Sequence, residues 1–195
     1  ALNEDKRTPL HNCGITGNAK VAAALIQQGA PVDGPDAEGC TPLMRAVMKN
    51  HAEVAKVLLD HGANPDVIVR TDSTPLYPLF VAAMNGYDDV IRVLLDKGAN
   101  VTAKVEGVPS PADAAKHNGH ETAAKLISAA IKKKKAAEKD ASTAAKEAEG
   151  LWQRVVQAVA QKDQDGLRTL INGRAFASLP VDSRLLAACA LGDAK

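Results

Sequence analysis

Apolar side chains recur with helical spacing in two segments of the chain. Residues 54–58 and 90–94 each place valine or leucine at i, i+3 and i+4, which puts these side chains on one face of a helix. Gly62 and Gly98 follow the two segments, and the end of a helix favours a residue that adopts positive φ. The pattern predicts two short amphipathic helices, each ended by glycine.

The two helices belong to a longer repeat. The sequence TPLH begins at Thr8, and TPLM begins at Thr41, 33 residues later. Gly29 and Gly62 are also 33 residues apart, whereas Gly98 lies 36 residues beyond Gly62. A short insertion therefore separates the second copy from the third. A fixed period of this length is typical of stacked helical repeats.

The insertion explains two neighbouring Pro-Leu pairs in the third copy. If it precedes the helix, Tyr77 aligns with Thr41, and YPLFVAAMNG aligns with TPLMRAVMKN. Pro78 then takes the first helical position, where its missing N–H costs no hydrogen bond. Pro75 belongs to a lengthened loop. The same register continues to Ser110, which opens a fourth copy.

One amphipathic helix pair cannot bury its apolar face alone, so neighbouring copies must stack. The TPLH motif and the matching segments NHAEVAKVLLDHGAN and NGYDDVIRVLLDKGAN resemble the ankyrin repeat family. The resemblance implies an all-α solenoid of helix-turn-helix units with hairpin loops. It also implies a hydrogen bond between the Thr8 hydroxyl and the His11 imidazole, which ties the first helix to its turn.

The repeat pattern predicts three segments. Residues 1–130 hold four ankyrin units, residues 131–150 form an extended helix or linker that interrupts the solenoid, and residues 151–195 hold a degenerate unit and a truncated further repeat. The long helix is expected to run from Glu121 to Gly150, because Ala, Lys and Glu favour helix. The half-repeat at the end leads to the hypothesis that the chain is a piece of a longer protein.

Three departures from the family pattern carry structural predictions. Cys13 and Gly14 stand where the family usually has paired alanines, which predicts a loosened first helix. Asn50 replaces the usual glycine between helices, and asparagine tolerates the left-handed conformation. Lys116 replaces a small buried residue, and lysine is rarely buried. The fourth unit is therefore expected to end a stack or to meet a polar group.

Composition and charge limit the classes of function. Aromatic residues make up 3% of the chain, which predicts a thin core of small side chains. The formal net charge of +1 provides no global attraction for nucleic acid or an anionic membrane, and no apolar run is long enough to span a bilayer. Cys13, Cys40 and Cys189 are widely spaced, which predicts free thiols in a reducing, cytoplasmic compartment.

The candidate catalytic and metal-binding residues form no recognisable motif. Cys13 and Cys40 fall where small buried side chains are expected, and no phosphate-binding glycine loop occurs. His117, His120 and Glu121 straddle a predicted helix break, so they lack the fixed geometry of a helical metal motif. We therefore predict no enzyme activity, no cofactor, no metal site and no small-molecule substrate.

Two alternative functions remain open. The run Lys132–Lys135 could bind nucleic acid or anionic lipid, but four consecutive lysines spread around most of a helix, and Glu138 and Asp140 follow them. Such a run is more often a solvated helix. The other alternative is that the repeats are the regulatory or targeting segment of a larger enzyme or channel.

A surface for a partner protein is the function that the resemblance implies. Ankyrin proteins hold their partners with the hairpin tips and the concave face of the first helices. Transferred register by register, this role falls on Asp5, Arg7, Ile15, Thr16, Ala37, Glu38, Cys40, Met48, Lys49, Ser73, Leu76, Met84, Asn85, Glu106, His117 and Asn118. Ile15, Met48 and Met84 share one register position, which predicts an apolar row flanked by Lys49 and Asn85.

Overall fold

Eight helices and one two-stranded hairpin make up the part of the chain that the computed structural model describes, which is residues 5–70, 75–103, 105–161, 163, 165–166 and 169–170. In chain order the elements are α1 (Pro9–Thr16), α2 (Ala19–Gln27), α3 (Pro42–Met48), α4 (Ala52–Asp60), β1 (Val69–Arg70), β2 (Pro75–Leu76), α5 (Pro78–Asn85), α6 (Asp88–Asp96), α7 (Pro111–His117) and α8 (Glu121–Ala160). The chain divides into two compact units, Ala1–Lys133 and Lys134–Lys195.

The first helix of every repeat begins at a proline, as the sequence predicts. These prolines are Pro9, Pro42, Pro78 and Pro111. Thr8, Thr41 and Ser110 precede three of them and accept a backbone N–H from the first helical turn, which satisfies a donor that has no intrahelical partner. The start of α5 at Pro78 confirms which Pro-Leu pair opens that helix.

The other Pro-Leu pair forms a strand. Pro75 and Leu76 make up β2, which pairs antiparallel with β1, so that Val69 lies opposite Leu76 and Arg70 opposite Pro75. Val69 is buried, and it attaches this hairpin to the core of the first unit. The residues inserted in the third repeat therefore lengthen a hairpin that pairs its own strands.

The repeats of the first unit stack as two layers of helices. In one layer α1 packs on α3, α3 on α5 and α5 on α7; in the other, α2 packs on α4 and α4 on α6. The core contains fully buried leucines from both layers: Leu10, Leu43, Leu58, Leu79 and Leu94. Each such side chain contributes about 1.5–3 kcal/mol relative to exposure. The arrangement confirms the predicted all-α solenoid of stacked helix pairs.

Gly14 permits close packing and does not loosen α1, so the sequence-based expectation at this position is wrong. The helix is continuous through Gly14, which is buried. A Cβ atom at this position would lie 2.6 Å from the carbonyl oxygen of Pro42 and 3.1 Å from the amide nitrogen of Ala46. The missing side chain therefore lets the backbones of α1 and α3 approach. The prediction for Asn50 is confirmed, since its φ is +58°.

The fourth unit ends the stack of first helices within the described residues. Gly14, Val47 and Ala83 share one register position and are buried where the next first helix packs. Lys116 holds the same position in α7, and its side chain is exposed. The expectation for Lys116 is confirmed, because a lysine at this position has solvent to reach.

The long helix α8 starts at Glu121 as predicted, but Gly150 does not end it. The helix continues to Ala160. A Cβ atom at Gly150 would meet nothing within 4 Å, so the glycine is neither a packing site nor a turn. A glycine inside a helix costs about 1 kcal/mol relative to alanine. The strong helix formers on both sides offset this cost.

In the second unit, Val155 and Ala158 lie on the last turns of α8 and not on a separate first helix. They are buried, and Leu151, Trp152 and Leu170 pack against them. Val159, the residue after Ala158, is 40% exposed. Residues 171–195 lie outside the described part of the chain, and so does Cys189. The degenerate unit over 151–195 and the truncated repeat stay predictions.

Candidate functional site

The predicted apolar row lies on the last turns of three successive first helices. The apolar row consists of Ile15 in α1, Met48 in α3 and Met84 in α5. Met48 is 38% exposed, and Ile15 and Met84 are half-buried. Each therefore offers apolar surface to solvent while its own helix remains fixed in the stack. His117 holds the next register position, in α7, and is exposed.

The polar residues beside the apolar row are held by their own helices. The Thr16 hydroxyl donates to the Asn12 carbonyl at 2.8 Å, and the Asn85 side-chain amide donates to the Val81 carbonyl at 2.8 Å. Lys49, at the same register, is exposed. The hydroxyl and the amide are thus held in place, whereas the ammonium group of Lys49 lies at the end of a flexible four-carbon stem.

An ion-pair network joins the first two hairpin tips. Arg7 Nη2 donates to Glu38 Oε1 at 2.9 Å, and Arg7 Nη1 lies 3.0 Å from Asp5 Oδ2. The Ala37 N–H donates to the Asp5 carbonyl at 2.9 Å. Four of the predicted site residues are thus brought together. Asp5, Ala37 and Glu38 are exposed, while Arg7 is half-buried.

A buried charge pair supports this network, and the sequence-based prediction missed it. Arg45 Nε and Nη2 donate to Asp36 Oδ2 at 2.8 and 2.6 Å, and the Asp36 side chain is only 1% exposed. Asp36 Oδ1 accepts the N–H groups of Glu38 and Cys40, each at 3.0 Å. Burial by itself raises the pKa of Asp36, but the hydrogen bonds from Arg45 and Cys40 outweigh burial and lower it.

His11 connects the first repeat to the second. The Thr8 N–H donates to His11 Nδ1 at 3.1 Å, and the Thr8 hydroxyl lies 2.9 Å from the same nitrogen, which confirms the bond implied by the resemblance. His11 Nε2 lies 3.0 Å from the Cys40 carbonyl. Since Nδ1 accepts, Nε2 carries the proton and donates. Burial lowers the pKa of His11, which favours this neutral form.

Cys40 is not a surface residue, so its place among the predicted partner contacts is wrong. It is 5% exposed and belongs to the core cluster, because the chain turns inward there to bring its carbonyl to His11. Burial raises the pKa of the Cys40 thiol, and it does the same for Cys13. Both cysteines are free thiols with buried sulfur, as small core residues are.

A cleft of about 500 Å³ opens between α5 and α7. We call it the α5–α7 cleft; its lining residues are Phe80, Met84, Pro109, Asp113, Ala114, His117 and Asn118. Asn118 Nδ2 donates to the Met84 carbonyl at 2.8 Å, so three predicted site residues meet here. The sequence predicted His117, Asn118 and Met84, but it gave no sign of a cavity.

The other predicted tip residues are dispersed. Leu76 is half-buried in β2, and Glu106 is exposed on the tip before α7. Ser73 lies outside the described residues. Lys132–Lys135 are exposed on α8.

The described residues contain neither a membrane span nor a metal-ligand cluster. In the described ranges, no helix combines the length and apolar character that crossing a membrane requires. The same ranges hold no group of three or more His, Cys, Asp or Glu side chains that could bind a metal ion. His117, His120 and Glu121 therefore do not converge on one point.

Known proteins resemble this chain in its first half. A family model described as "Ankyrin repeats (3 copies)" matches residues 1–69, and one described as "Ankyrin repeat" matches residues 74–105. Together the two matches cover just over half of the chain. The predicted fourth unit lies beyond them, although its helices α7 and α8 are formed.

Three relatives illustrate the similarity. An ankyrin and IPT/TIG repeat-containing protein of Schizosaccharomyces pombe is 35% identical over 75 residues, which are 38% of this chain and 6% of that protein. The RelA-associated inhibitor of Mus musculus is 39% identical over 61 residues, 31% of this chain and 7% of the relative.

The third, fibronectin type 3 and ankyrin repeat domains 1 protein of Mus musculus, is 51% identical over 45 residues, 23% of this chain and 13% of the relative. The chain spans less than a fifth of the length of each of these relatives. The family matches and the stacked helix pairs agree, and the chain belongs to the ankyrin repeat family.

Proposed function

We propose that this chain binds another protein through the apolar row and the neighbouring hairpin tips, with no chemistry of its own. Ankyrin repeats are general protein-interaction modules, and the family is typically non-catalytic. The observation that carries the proposal is the exposure of the apolar row, above all of Met48 at 38%. A large apolar side chain kept in solvent at a repeated register is suited to contact with a partner.

The surroundings of the apolar row support a protein partner. Protein interfaces combine an apolar centre with a polar rim, and methionine adapts its shape to a partner at low cost. Here Lys49 and Asn85 flank the apolar row, and both are exposed. Thr16, at the same register in the first repeat, extends this rim.

The relatives support a second candidate function. Each is a longer protein in which the matching repeats are a small part, and the name of one describes an inhibitor associated with another protein. The repeats of this chain could likewise serve as the regulatory or targeting segment of a larger protein. The complete sequence of the gene product that contains this chain tests the second candidate. An adjoining catalytic or channel domain supports it, and a gene product without such a domain contradicts it.

The test of the first proposal compares variants of the full chain on the same affinity support. Met48→Glu places a charge in the middle of the apolar row. Val21→Glu is the matched control, because Val21 is 44% exposed but lies on α2, in the other helix layer. We expect the amount of each protein that the wild type captures to fall about tenfold with Met48→Glu and to stay unchanged with Val21→Glu.

Stability must be measured in parallel. Both residues are exposed, so urea unfolding of either variant should stay within about 0.5 kcal/mol of the wild type. Capture that survives Met48→Glu and Met84→Glu unchanged contradicts the assignment of the apolar row as a binding surface.

A further inference from the structure

The α5–α7 cleft exists because α7 contains small side chains where the other first helices contain large ones. Its sequence is PADAAKH. The register that holds Phe80 in α5 holds Asp113 in α7, and the register of Val81 holds Ala114, which also lines the cleft. Phe80 and Met84 on the α5 side therefore face alanine and a side chain that points to solvent. The volume left between the two helices is about 500 Å³.

The walls of the cleft are fixed before any ligand arrives. Phe80 is 5% exposed, and its ring lies against Tyr77 with the ring centroids 5.6 Å apart. At the other end, Asn118 Nδ2 holds the Met84 carbonyl at 2.8 Å. A site whose walls are already ordered loses little conformational entropy on binding, which favours affinity.

The mouth of the cleft carries negative charge. Asp113 is exposed, and the Ser110 hydroxyl donates to its Oδ2 at 2.6 Å, which orients the carboxylate. A carboxylate accepts several hydrogen bonds, so it can also accept from a cation of a ligand. Lys116, three residues further along α7, lines a different surface together with Gly119 and Lys125.

We propose that the α5–α7 cleft receives one large apolar side chain of the partner protein, and that a lysine or arginine next to it in the partner pairs with Asp113. The inference rests on the proposed function and names the chemistry of the partner at one point of the same surface. Apolar anchors in preformed pockets contribute most of the affinity in many interfaces, and a charged pair at the edge adds specificity.

The experiment uses a displayed library of random peptides of about twelve residues, a length suited to one extended recognition segment, selected on the full chain. Selected peptides are then synthesised, and their affinities are measured on five chains: wild type, Ala114→Phe, Asp113→Asn, Met48→Glu and Ala24→Phe. Ala114→Phe fills the cleft from α7. Ala24→Phe is the matched control, since Ala24 is exposed on α2.

We expect the selected peptides to share an apolar residue adjacent to lysine or arginine. Their affinity should fall about tenfold on Ala114→Phe and stay unchanged on Ala24→Phe. Replacing the peptide cation by glutamine should weaken binding to the wild type but not binding to Asp113→Asn, because the pair is already broken. Replacing the apolar anchor of the peptide by alanine tests the cleft without altering the protein, so the proposal stays testable if Ala114→Phe does not fold.

Three outcomes contradict the proposal. Peptides that bind Ala114→Phe as well as wild type, or that lack the apolar–basic pair, overturn the cleft assignment. If those peptides nevertheless fail to bind Met48→Glu, the proposed function survives and only the cleft assignment fails. Peptides whose affinity is the same for every variant contradict both.

A last outcome concerns a second copy of the chain. If the wild-type chain sediments as a dimer and Ala114→Phe sediments as a monomer, a second copy occupies the cleft.

Discussion

The α1–α3 junction and the α5–α7 junction join first helices of the same solenoid through different interactions. Between α1 and α3 the backbones approach at Gly14, and His11 binds the Cys40 carbonyl of the next repeat, in which the buried Asp36–Arg45 pair also lies. Between α5 and α7 the small residues of α7 leave a cleft, with an amide–carbonyl bond from Asn118 at one end. At the junction of α1 and α3, His11, Asp36 and Arg45 find hydrogen-bond partners within the protein, whereas the junction of α5 and α7 presents open apolar surface.

The contrast teaches that one helical architecture can serve either stacking or recognition, depending on a few side chains. A single register position holds His11, Met44, Phe80 and Asp113 in the four units. The imidazole binds the next unit, and the methionine and phenylalanine fill the core. The aspartate turns to solvent and leaves space. The following experiments test whether these junctions differ as the contacts indicate, in order of expected effect.

The largest effect is expected from Arg45→Met at the first junction. The substitution removes both hydrogen bonds from Arg45 to the buried Asp36 carboxylate and leaves the more distant Arg7 Nε, 3.7 Å from Oδ2. Removing one partner of a buried ion pair costs about 3–5 kcal/mol. Urea unfolding followed by circular dichroism measures the loss. The double variant Arg45→Met/Asp36→Asn should recover part of it, since the buried charge is then gone. A loss below about 1 kcal/mol in the single variant would mean that the pair is not needed for stacking.

A smaller effect is expected from Gly14→Ala, and it should have the opposite sign from Gly150→Ala. Both glycines lie inside helices, where alanine is intrinsically favoured by about 1 kcal/mol. At Gly14 the new methyl group would meet the Pro42 carbonyl, and overpacking of this kind costs about 1–3 kcal/mol. Gly150 has open space around it, so alanine should raise the helical signal. Equal effects at the two sites would refute the close approach of α1 and α3.

Acidification should weaken the first junction through His11. Burial holds the pKa of His11 below its ordinary value of 6.5, so the unfolded chain binds this proton more readily than the folded chain. The free energy of unfolding should therefore fall as the pH decreases from 6.5 toward the lowered pKa. Asp36 has a lowered pKa too, and its contribution is lost only at more acidic pH. His11→Gln is the control: a pH slope as steep in this variant as in the wild type would assign the effect to other groups.

The smallest change in stability is expected at the junction of α5 and α7. Asp113 is exposed, so Asp113→Asn should alter the free energy of unfolding by less than about 0.5 kcal/mol. The measurement is the same urea titration used for Arg45→Met. A loss comparable with that of Arg45→Met would show that Asp113 stabilises the stack, and the cleft could not then be treated as a surface left over from packing.

Much of the fold follows from local signals in the sequence. The spacing of TPLH and TPLM located α1 and α3, and the inserted residues placed the start of α5 at Pro78. Such features are predictable because caps, prolines and apolar periodicity act within a few residues. Gly150 shows the limit: a residue that often ends helices was overruled by the helix formers around it.

Less of the candidate surface could be predicted from the sequence. Register alone placed the apolar row on successive helices, but it could not separate the exposed Met48 from the buried Cys40. Exposure depends on which neighbour covers a side chain. The ion pair between Arg45 and Asp36 depends on the turn that lies between them, so no local sequence pattern predicts it.

The amino-acid sequence by itself determined the helical repeat, its period and the place of the insertion, because hydrophobic spacing and helix capping are properties of short segments. Only the tertiary structure decided that Gly14 is a point of backbone contact, that Asp36 is buried and that a cleft lies beside Phe80. Each of these depends on the distance between helices from different repeats, which is set by all the side chains packed between them.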